Sequence, residues 1–476
     1  MSMDELLISA VCWANQYDVI VAGGGPAGVA SAIAAARQGL KTLLIERSGC
    51  LGGVSTSGAL PFWLGAMTGS IPFHKMLEKG ISYRDLPRAR PAVGGIFVEA
   101  MNRIKEAGGG VGPAKLAQTD KYPGLDRLGC HDEFTFDIEI GKRVLDEMVI
   151  GAGVEILYHT LVTGTKVDGR VVSGVYIANK DGMTYVKGKA FIDCTGDADL
   201  VAQSGFDTYK GDRLTAEMTE VNLVAHIENI ESRAIEQYLN KGGDPWFRDI
   251  CKKAKNDRLE MDIPGNLILF PMMQEGVFMI NEGTTFSGYD GTNAKDITHI
   301  MLIGRQRARV LVEELFQPYM PGSKNCRLRM TAAYPGIRET RRIVAEYMLS
   351  ESDLIEGKRF DDTIALGGRH FDLGRGGSQS RQPFHDRNLS VKTGITPIPY
   401  RAMIPRDTIN IIVAGRSIAA DGQALGPARV MSTCFAMGEA AGIASALYLK
   451  NYGSYRGINP STLKQTLRDN GALVDY

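Results

Sequence analysis

Apolar residues gather in three places far apart in the chain. Over 17–45 they read as a strand "YDVIVA", a run of glycines, a small-residue helix "PAGVASAIAAARQG" stopping at Gly39, and a second strand "KTLLIE". Over 140–205 the pattern predicts a helix "GKRVLDEMVIGAG" and a strand "VEILYHTLV". It continues with a hairpin through "GRVVSGVYIANKDGMTYVKGKAFIDCTG" turning at Asp181-Gly182, and the segment "DADLVAQSG". The third place, "TINIIVAGRSIAADGQALGPARVMSTCFAMGEAAGIASALYL", predicts a strand, a long loop and an alanine-rich helix. Strands alternating with helices place the chain in the α/β class, with one Rossmann-like layer assembled from distant segments. Two insertions, 60–139 and 206–399, are rich in Met, aromatics, Arg and Pro and read as an α+β cap over a ligand. The expected division is a leader segment 1–16, layer segments 17–59, 140–205 and 400–450, the two insertions, and a C-terminal tail 451–476.

At 476 residues the chain exceeds what one core organises, so at least two domains are expected. Lysine plus arginine equals aspartate plus glutamate, 54 against 54, which leaves no global field for nucleic acid or an anionic membrane. The expected partner is a small molecule, and homo-oligomerisation stays open. The seven cysteines form no CxxC pair, which argues against a zinc ribbon, an iron–sulfur run or a disulfide framework and fits a reducing, cytoplasmic setting. No metal site is expected. The opening "MSMDELLISAVCWANQ" has acidic residues where a signal peptide needs basic ones, and its apolar run is too short to span a bilayer.

Gly23, Gly25 and Gly28 form GxGxxG between the first strand and helix. In that context the first glycine makes the turn, the second admits a pyrophosphate to the backbone, and the third lets helix and strand pack closely. Pro26 and Ala27 open the helix, whose free N–H groups and positive dipole end suit phosphate. Glu46 ends the next strand, 18 residues after Gly28, where a carboxylate can accept both ribose hydroxyls, with Arg47 beside it. This is a dinucleotide site. Two other glycine-rich stretches, "EAGGGVGPAK" and "ALGGRHFDLGRGGSQS", do not lie between a strand and a helix, so no second fingerprint for NAD(P)H is present.

An NAD site closes within one or two crossover units, whereas an extended FAD needs distant elements. The chain resembles the large FAD-dependent oxidoreductase family built on the glutathione-reductase type of FAD domain, in its branch with a split FAD domain and a substrate cap. The resemblance rests on "VIVAGGGPAGVASAIAAARQGLKTLLIER", "CLGGVSTSG", "FIDCTGDADLVAQSG", "YPGIRETRRIV" and "IIVAGRSIAADGQALGPARVMSTCFAMGEAAGIASAL", about a third of the chain. It implies non-covalent FAD, with Gly53 close to the pyrophosphate and Ser55 and Thr56 offering hydroxyls. It also implies Leu161 or Val162 under the adenine, and Thr195, Gly196 and Asp197 near the adenosine half. Gly415, Arg416 and Asp421 would meet the ribityl or pyrophosphate region. Arg429 would precede a helix whose first N–H groups, Val430 to Ser432, face the flavin. Disulfide reductases of this superfamily carry a CxxxxC after the paired glycines; here the text is "GGVSTSG", which excludes that chemistry. Relatives with a histidine after "AGR" give no role to transfer, since this chain reads "AADGQA" there.

The candidate chemistry lies in the insertions. "AAYPGIRETRRIVAEY" reads as a helix with Arg338, Arg341 and Arg342 on one face and Arg342 pairing with Glu346, and Arg338 is the candidate substrate-binding cation. Candidate bases are His74, His131, His370 and His385, of which His370 in "GGRHFDLG" is preferred. Tyr334 and Trp63 are candidates for an aromatic wall. Together these predict an FAD-dependent oxidoreductase that removes a hydride from a sugar, polyol or hydroxy acid. A reductase of an activated double bond is the alternative, and an RNA-modifying flavoprotein a weaker one.

The electron acceptor is unassigned, but the missing second fingerprint makes a prediction. NADH or NADPH at micromolar concentration, mixed anaerobically in a stopped-flow instrument, should not bleach the flavin rapidly; fast bleaching would favour the double-bond reductase.

Overall fold

The computed structural model describes residues 16–68, 90–112, 121–128, 134–211, 217–257, 263–371 and 391–476. The leader 1–15, His74, Cys130-His131 and His385 lie outside the described residues.

The first layer is built on β1 (Gln16–Ala22), β2 (Thr42–Ile45), β3 (Glu155–Leu157), β4 (Leu161–Asp168), β5 (Val171–Asn179) and β6 (Gly182–Asp193). β3, β2, β1 and β6 run parallel in that order, and the strand Ile411–Val413 adds to β6 on the far side. A parallel sheet covered on both faces needs apolar residues at successive positions, and "TLLI" and "IIV" are buried throughout. β4 and β5 extend the sheet antiparallel from β6. Helices α1 (Pro26–Arg37), α2 (Ile96–Glu106), α3 (Ile138–Gly151), α4 (Gly422–Ala428) and α5 (Met431–Leu447) accompany it. α5 is buried from Met431 to Ala446, as a helix apolar all round must be. It lies against α1 so closely that a Cβ on Gly438 would stand 2.1 Å from the Ala27 carbonyl oxygen, and one on Gly442 2.4 Å from that of Ser31.

The second layer is a four-stranded antiparallel sheet of β7 (Ala225–Glu228), β8 (Ile268–Pro271), β9 (Phe278–Glu282) and β10 (Arg327–Thr331), in the order β8-β9-β7-β10. Alternate side chains face opposite ways. Ile227, Leu269, Phe278 and Ile280 join a core with Leu311 and Leu315. Phe270, Met272 and Met279 pack towards Ala59 and Phe62, in the chain that leaves the glycine turn.

Several expectations are corrected. The single strand over 154–162 is two, because His159 turns at φ +48 and the Thr160 N–H donates to the Glu46 carbonyl at 3.0 Å. In the hairpin Asn179 pairs with Gly182, so Lys180 and Asp181 make the turn, one residue earlier than expected. The long loop after Ile411–Val413 contains α4, with Asp421 as its N-cap. Residues 60–139 are not simply a cover: Trp63, Phe97, Phe134 and Phe136 belong to the same core as β1 and α5. Trp63 is fully buried among Phe97, Phe134, Phe136 and Phe435 and lines no cavity wall.

No helix forms over 334–347. The backbone N–H groups there are committed to distant carbonyls: Tyr334 to Ser57 at 3.2 Å, Gly336 to Asn222 at 2.7 Å and Ile343 to Ser417 at 3.0 Å. Instead Arg341–Ile343 is strand β11, paired with 208–210. The two arginines therefore diverge. Arg341 meets Asp199 at 2.5 Å. Arg342 is buried on the Tyr209 ring, bonds the carbonyls of Ala420 and Gly211, and pairs with Glu339 at 2.7 Å. Glu346 pairs with Arg456 instead.

Among the described residues no single helix is long and apolar enough to cross a membrane, and no group of three or more metal-ligating side chains occurs.

Candidate functional site

A cavity of about 1500 Å³ lies between the two layers, bounded by the glycine turn, the loop 49–57, the start of α5 and the second sheet. At its floor, Gly23 has φ +98 and a Cβ there would stand 2.4 Å from the Cys194 carbonyl oxygen; a Cβ on Gly28 would stand 1.7 Å from that of Gly23. These two glycines make the turn and its packing. Gly25 differs, because an added Cβ would meet nothing within 4 Å. Its space opens into the cavity it lines, where a pyrophosphate is expected to approach. Pro26, Ala27 and Glu46 line the same wall. The buried Glu46 carboxylate already accepts the Gly24 N–H at 2.6 Å and the Ser48 N–H at 2.7 Å, so it holds the turn while lining the cavity.

The loop carrying Gly53 is tied to the turn by the Gly52 N–H, which donates to Gly24 at 2.8 Å. Gly53 lines the cavity, and a Cβ on it would reach 3.1 Å from the Gly25 Cα. Thr56 also lines it, although its hydroxyl donates to Leu51 at 2.5 Å. Ser55 does not: it is fully buried and its hydroxyl closes the loop on the Gly52 carbonyl at 2.7 Å. Cys50 lies near the Ser57 hydroxyl at 3.2 Å and is a free thiol.

Leu161, Val162, Thr195, Gly196, Gly415 and Arg416 line the wall, as expected for the adenosine and central parts of a dinucleotide. Asp197 stands behind them, accepting from Arg416 at 2.7 Å and from the Thr340 hydroxyl at 2.6 Å. Burial would raise its carboxyl, but Arg416, the Thr340 bond and Arg47 hold it below the ordinary carboxylate range. Arg47 lines the cavity and lies over the Tyr334 ring at 4.0 Å. Tyr334 therefore sits on the glycine-turn side, among Arg47, Asp197 and Arg416. Expected in an aromatic wall and as a catalytic candidate, it lines the cavity. Asp421 does not face the cavity: its carboxylate accepts the N–H groups of Gln423, Ala424 and Glu351 at 3.1, 2.9 and 2.7 Å. A capping aspartate before a helix hidden in the loop is what its position encoded.

The other end of the cavity is the start of α5, where Arg429, Val430 and Met431 form the wall. Val430 is the N-cap and no side chain caps it; α1 likewise starts at Gly25 without a side-chain cap. Side chains cap other helices, among them α3 through Asp137 and α4 through Asp421. Two uncapped N-termini on one cavity offer unpaired N–H groups and two positive dipole ends to a ligand with separated negative groups. Ser432 is turned away, its hydroxyl on the Leu64 carbonyl. His370 lines the cavity beside this end, since a Cβ on Gly65 would touch Val430, Arg369 and Ser432 together.

The second sheet and the chain adjoining it supply a wall that the sequence reading largely missed: His226, Asn281, Arg329 and Phe270 from its strands, with Asn222 and Met272 beside them. The alternation in "VNLVAHIE" was the available signal, since it puts His226 on the face opposite Ile227. Arg338 faces the cavity as expected, but from an extended segment, and donates to the Glu220 carbonyl at 3.0 Å.

The family described as FAD dependent oxidoreductase matches residues 18–467, and the chain belongs to it. Dihydrolipoyl dehydrogenase of Trypanosoma brucei brucei is 52% identical over 48 residues, 10% of each chain. Leghemoglobin reductase of Glycine max is 32% identical over 135 residues, 27% of this chain and 22% of that one. A tRNA uridine 5-carboxymethylaminomethyl modification enzyme of Lactobacillus johnsonii is 29% identical over 175 residues, 34% and 26%. These matches thus span from a tenth to about a quarter of the relatives' own lengths. Among solved structures, p-nitrophenol 4-monooxygenase of Pseudomonas putida is 12% identical with TM-score 0.45, covering 96% of this chain and 85% of that one. A geranylgeranyl bacteriochlorophyll reductase-like protein of Thermoplasma acidophilum is 14% identical with TM-score 0.43, covering 96% and 84%. The cofactor is FAD, and the open space at Gly25 and the two uncapped helix starts fit it.

The contrast between two glycines gives a test. Gly25→Val should leave the apoprotein's thermal stability near wild type and abolish FAD binding, read as flavin absorbance per protein. Gly28→Val should destabilise the fold itself by roughly 1 to 3 kcal/mol or more, because its side chain meets backbone. Loss of stability at Gly25 with retained flavin would place the cofactor elsewhere.

Proposed function

We propose that this FAD-dependent oxidoreductase removes a hydride from a small oxygen-rich substrate of the sugar, polyol or hydroxy-acid class. In this reading 17–59, 140–205 and 400–450 form a split FAD-binding domain and the second sheet caps the substrate. The three strand-bearing segments meeting in one parallel sheet support that division.

Arg338 carries the substrate assignment. It lines the cavity half-buried, bonds only a backbone carbonyl, and has no carboxylate within ion-pair distance among the described residues. Arginines nearby are neutralised: Arg341 by Asp199, Arg342 by Glu339, Arg416 by Asp197 and Arg329 by Glu228. A partly desolvated guanidinium without a counter-ion is costly, and a substrate oxyanion or several hydroxyls would relieve it. FAD supplies a two-electron acceptor. The chain's own work is to seat the substrate oxygens on Arg338, screen them from water with Phe270 and Met272, and accept a hydroxyl proton.

Among the described residues Cys50 has the hydroxyls of Thr56 and Ser57 beside it rather than a second thiol, which does not support disulfide exchange.

An anaerobic panel of sugars, polyols and hydroxy acids should contain a compound that bleaches the flavin. With that compound, Arg338→Ala should slow bleaching by roughly 10- to 100-fold, equivalent to about 1.5 to 3 kcal/mol for a hydrogen bond to a charged group, with FAD content unchanged. A variant with the full rate would make Arg338 structural. Loss of the flavin would make it a cofactor ligand.

A further inference from the structure

His226 lies in β7 in the cavity wall, 4% exposed, and its Nε2 lies 2.8 Å from the carbonyl oxygen of Ala59. A carbonyl only accepts, so Nε2 carries the proton and Nδ1 keeps its lone pair. No side chain or backbone group among the described residues bonds Nδ1.

The carbonyl that orients the ring is itself fixed. Ala59 has φ +53, a left-handed backbone that a residue with a Cβ adopts only when its surroundings impose it. Its N–H donates to Thr56 at 3.0 Å, and the loop returns to the glycine turn through Gly52 and Gly24. The imidazole is thus held in register with the cofactor's floor through a short run of backbone. Its cross-strand neighbours are Met279 of β9 and Met330 of β10, which carry no charge, and Arg329 is the charged group that faces it. Burial is the largest influence on its ionisation. With Arg329 it outweighs the Ala59 bond and holds the imidazolium below the ordinary histidine range. The ring is neutral at neutral pH.

We propose that His226, rather than His370, is the proton acceptor for the substrate hydroxyl. This rests on the alcohol-oxidising reading above. The substrate O–H bond breaks as an N–H bond forms at Nδ1. The adjacent C–H bond breaks with its electron pair leaving as hydride to oxidised FAD, and the substrate becomes a carbonyl compound. The imidazolium then returns its proton to water. Since the base must be unprotonated, the rate falls as pH drops through the depressed pKa of His226, and the plateau reaches further into acid than an ordinary histidine allows.

The test is His226→Gln, whose amide N–H can still donate to Ala59, compared with His370→Gln in the holoenzyme. Flavin bleaching by the best hydroxy compound of the panel is followed across about pH 5 to 9. His226→Gln should keep its FAD content and visible spectrum, bleach roughly 10²- to 10⁴-fold more slowly, and lose the acid limb. His370→Gln should keep that limb. A wild-type rate and limb in His226→Gln, or loss of the limb only in His370→Gln, overturns the proposal.

If no hydroxy compound bleaches the wild-type flavin, the alcohol-oxidising reading fails on its own account. Nitrogen-15 spectra of the histidines, with His226 assigned by its absence in the variant, then judge the residue separately. A neutral Nε2–H ring with a low pKa is expected. An Nδ1–H tautomer, or an imidazolium at neutral pH, overturns the assignment; if the His226 variant fails to fold, its signal is the one left after the other six histidines are assigned through their own single substitutions.

Discussion

The close approach of α1 to α5 is the constraint on which the site depends. Where Gly438 meets Ala27 and Gly442 meets Ser31, no Cβ fits between the helices. That approach is possible only because both helices are built of Gly, Ala and Ser on the facing sides. Its consequence is functional. Two helices from opposite ends of the chain, 26–37 and 431–447, begin on one cavity and leave their first N–H groups without side-chain caps. A capped start would satisfy those donors locally and remove the anion site. The small-residue packing that stabilises the layer therefore also aims the two dipoles at the same ligand.

A second constraint joins this floor to the wall opposite. The chain over 49–60 is bonded to the first layer through Gly52 and Gly24 and to the second through Ser57, whose carbonyl receives both the Ala333 and Tyr334 N–H groups. His226 adds the Ala59 contact. One short segment thus ties the glycine turn to the sheet that bears His226 and to the extended segment that bears Arg338. The left-handed Ala59 is the strained member of that segment. Strain of roughly 1 to 3 kcal/mol persists only where surrounding bonds over-determine the backbone, as the Thr56 and His226 contacts do.

Much of the fold was legible because its signals are local. β1, the glycine turn, α1 and β2 follow from apolar runs and glycine spacing, and the family match over 18–467 agrees with the resemblance those motifs carried. What misled was local pattern with distant causes. The arginines of "RETRR" have helical spacing, but the backbone donors of Tyr334, Gly336 and Ile343 on either side of them bond Ser57, Asn222 and Ser417, none of which sequence proximity reveals. Asp421 has the look of a polar ligand residue, yet it precedes a short helix whose proline concealed it. His226 was passed over for the opposite reason. It stands in an ordinary strand pattern, and only the pairing of β7 with β9 and β10 shows which face meets the cavity.

Charge is distributed along the cavity with a division of labour. On the glycine-turn side Arg416 is matched by Asp197, whose carboxyl is held ionised, so the pair is nearly neutral and mainly fixes geometry. The positive field offered to a diphosphate there comes from backbone N–H groups, which are fixed in the fold and need no reorganisation when the cofactor arrives, together with the Arg47 guanidinium that lines the cavity. Beside the second sheet, on the extended segment that follows it, the field comes from a side chain, Arg338, bonded to one carbonyl and paired with no acid among the described residues. Backbone dipoles suit a resident group that is always bound in the same way. A single guanidinium on a movable stem suits one that enters and leaves, because its bidentate geometry is selective while its solvated state stays accessible between turnovers. In the proposed reading the fixed dipoles therefore serve the cofactor and the movable guanidinium the substrate, with the segment 333–338, anchored on Ser57 at one end, between them.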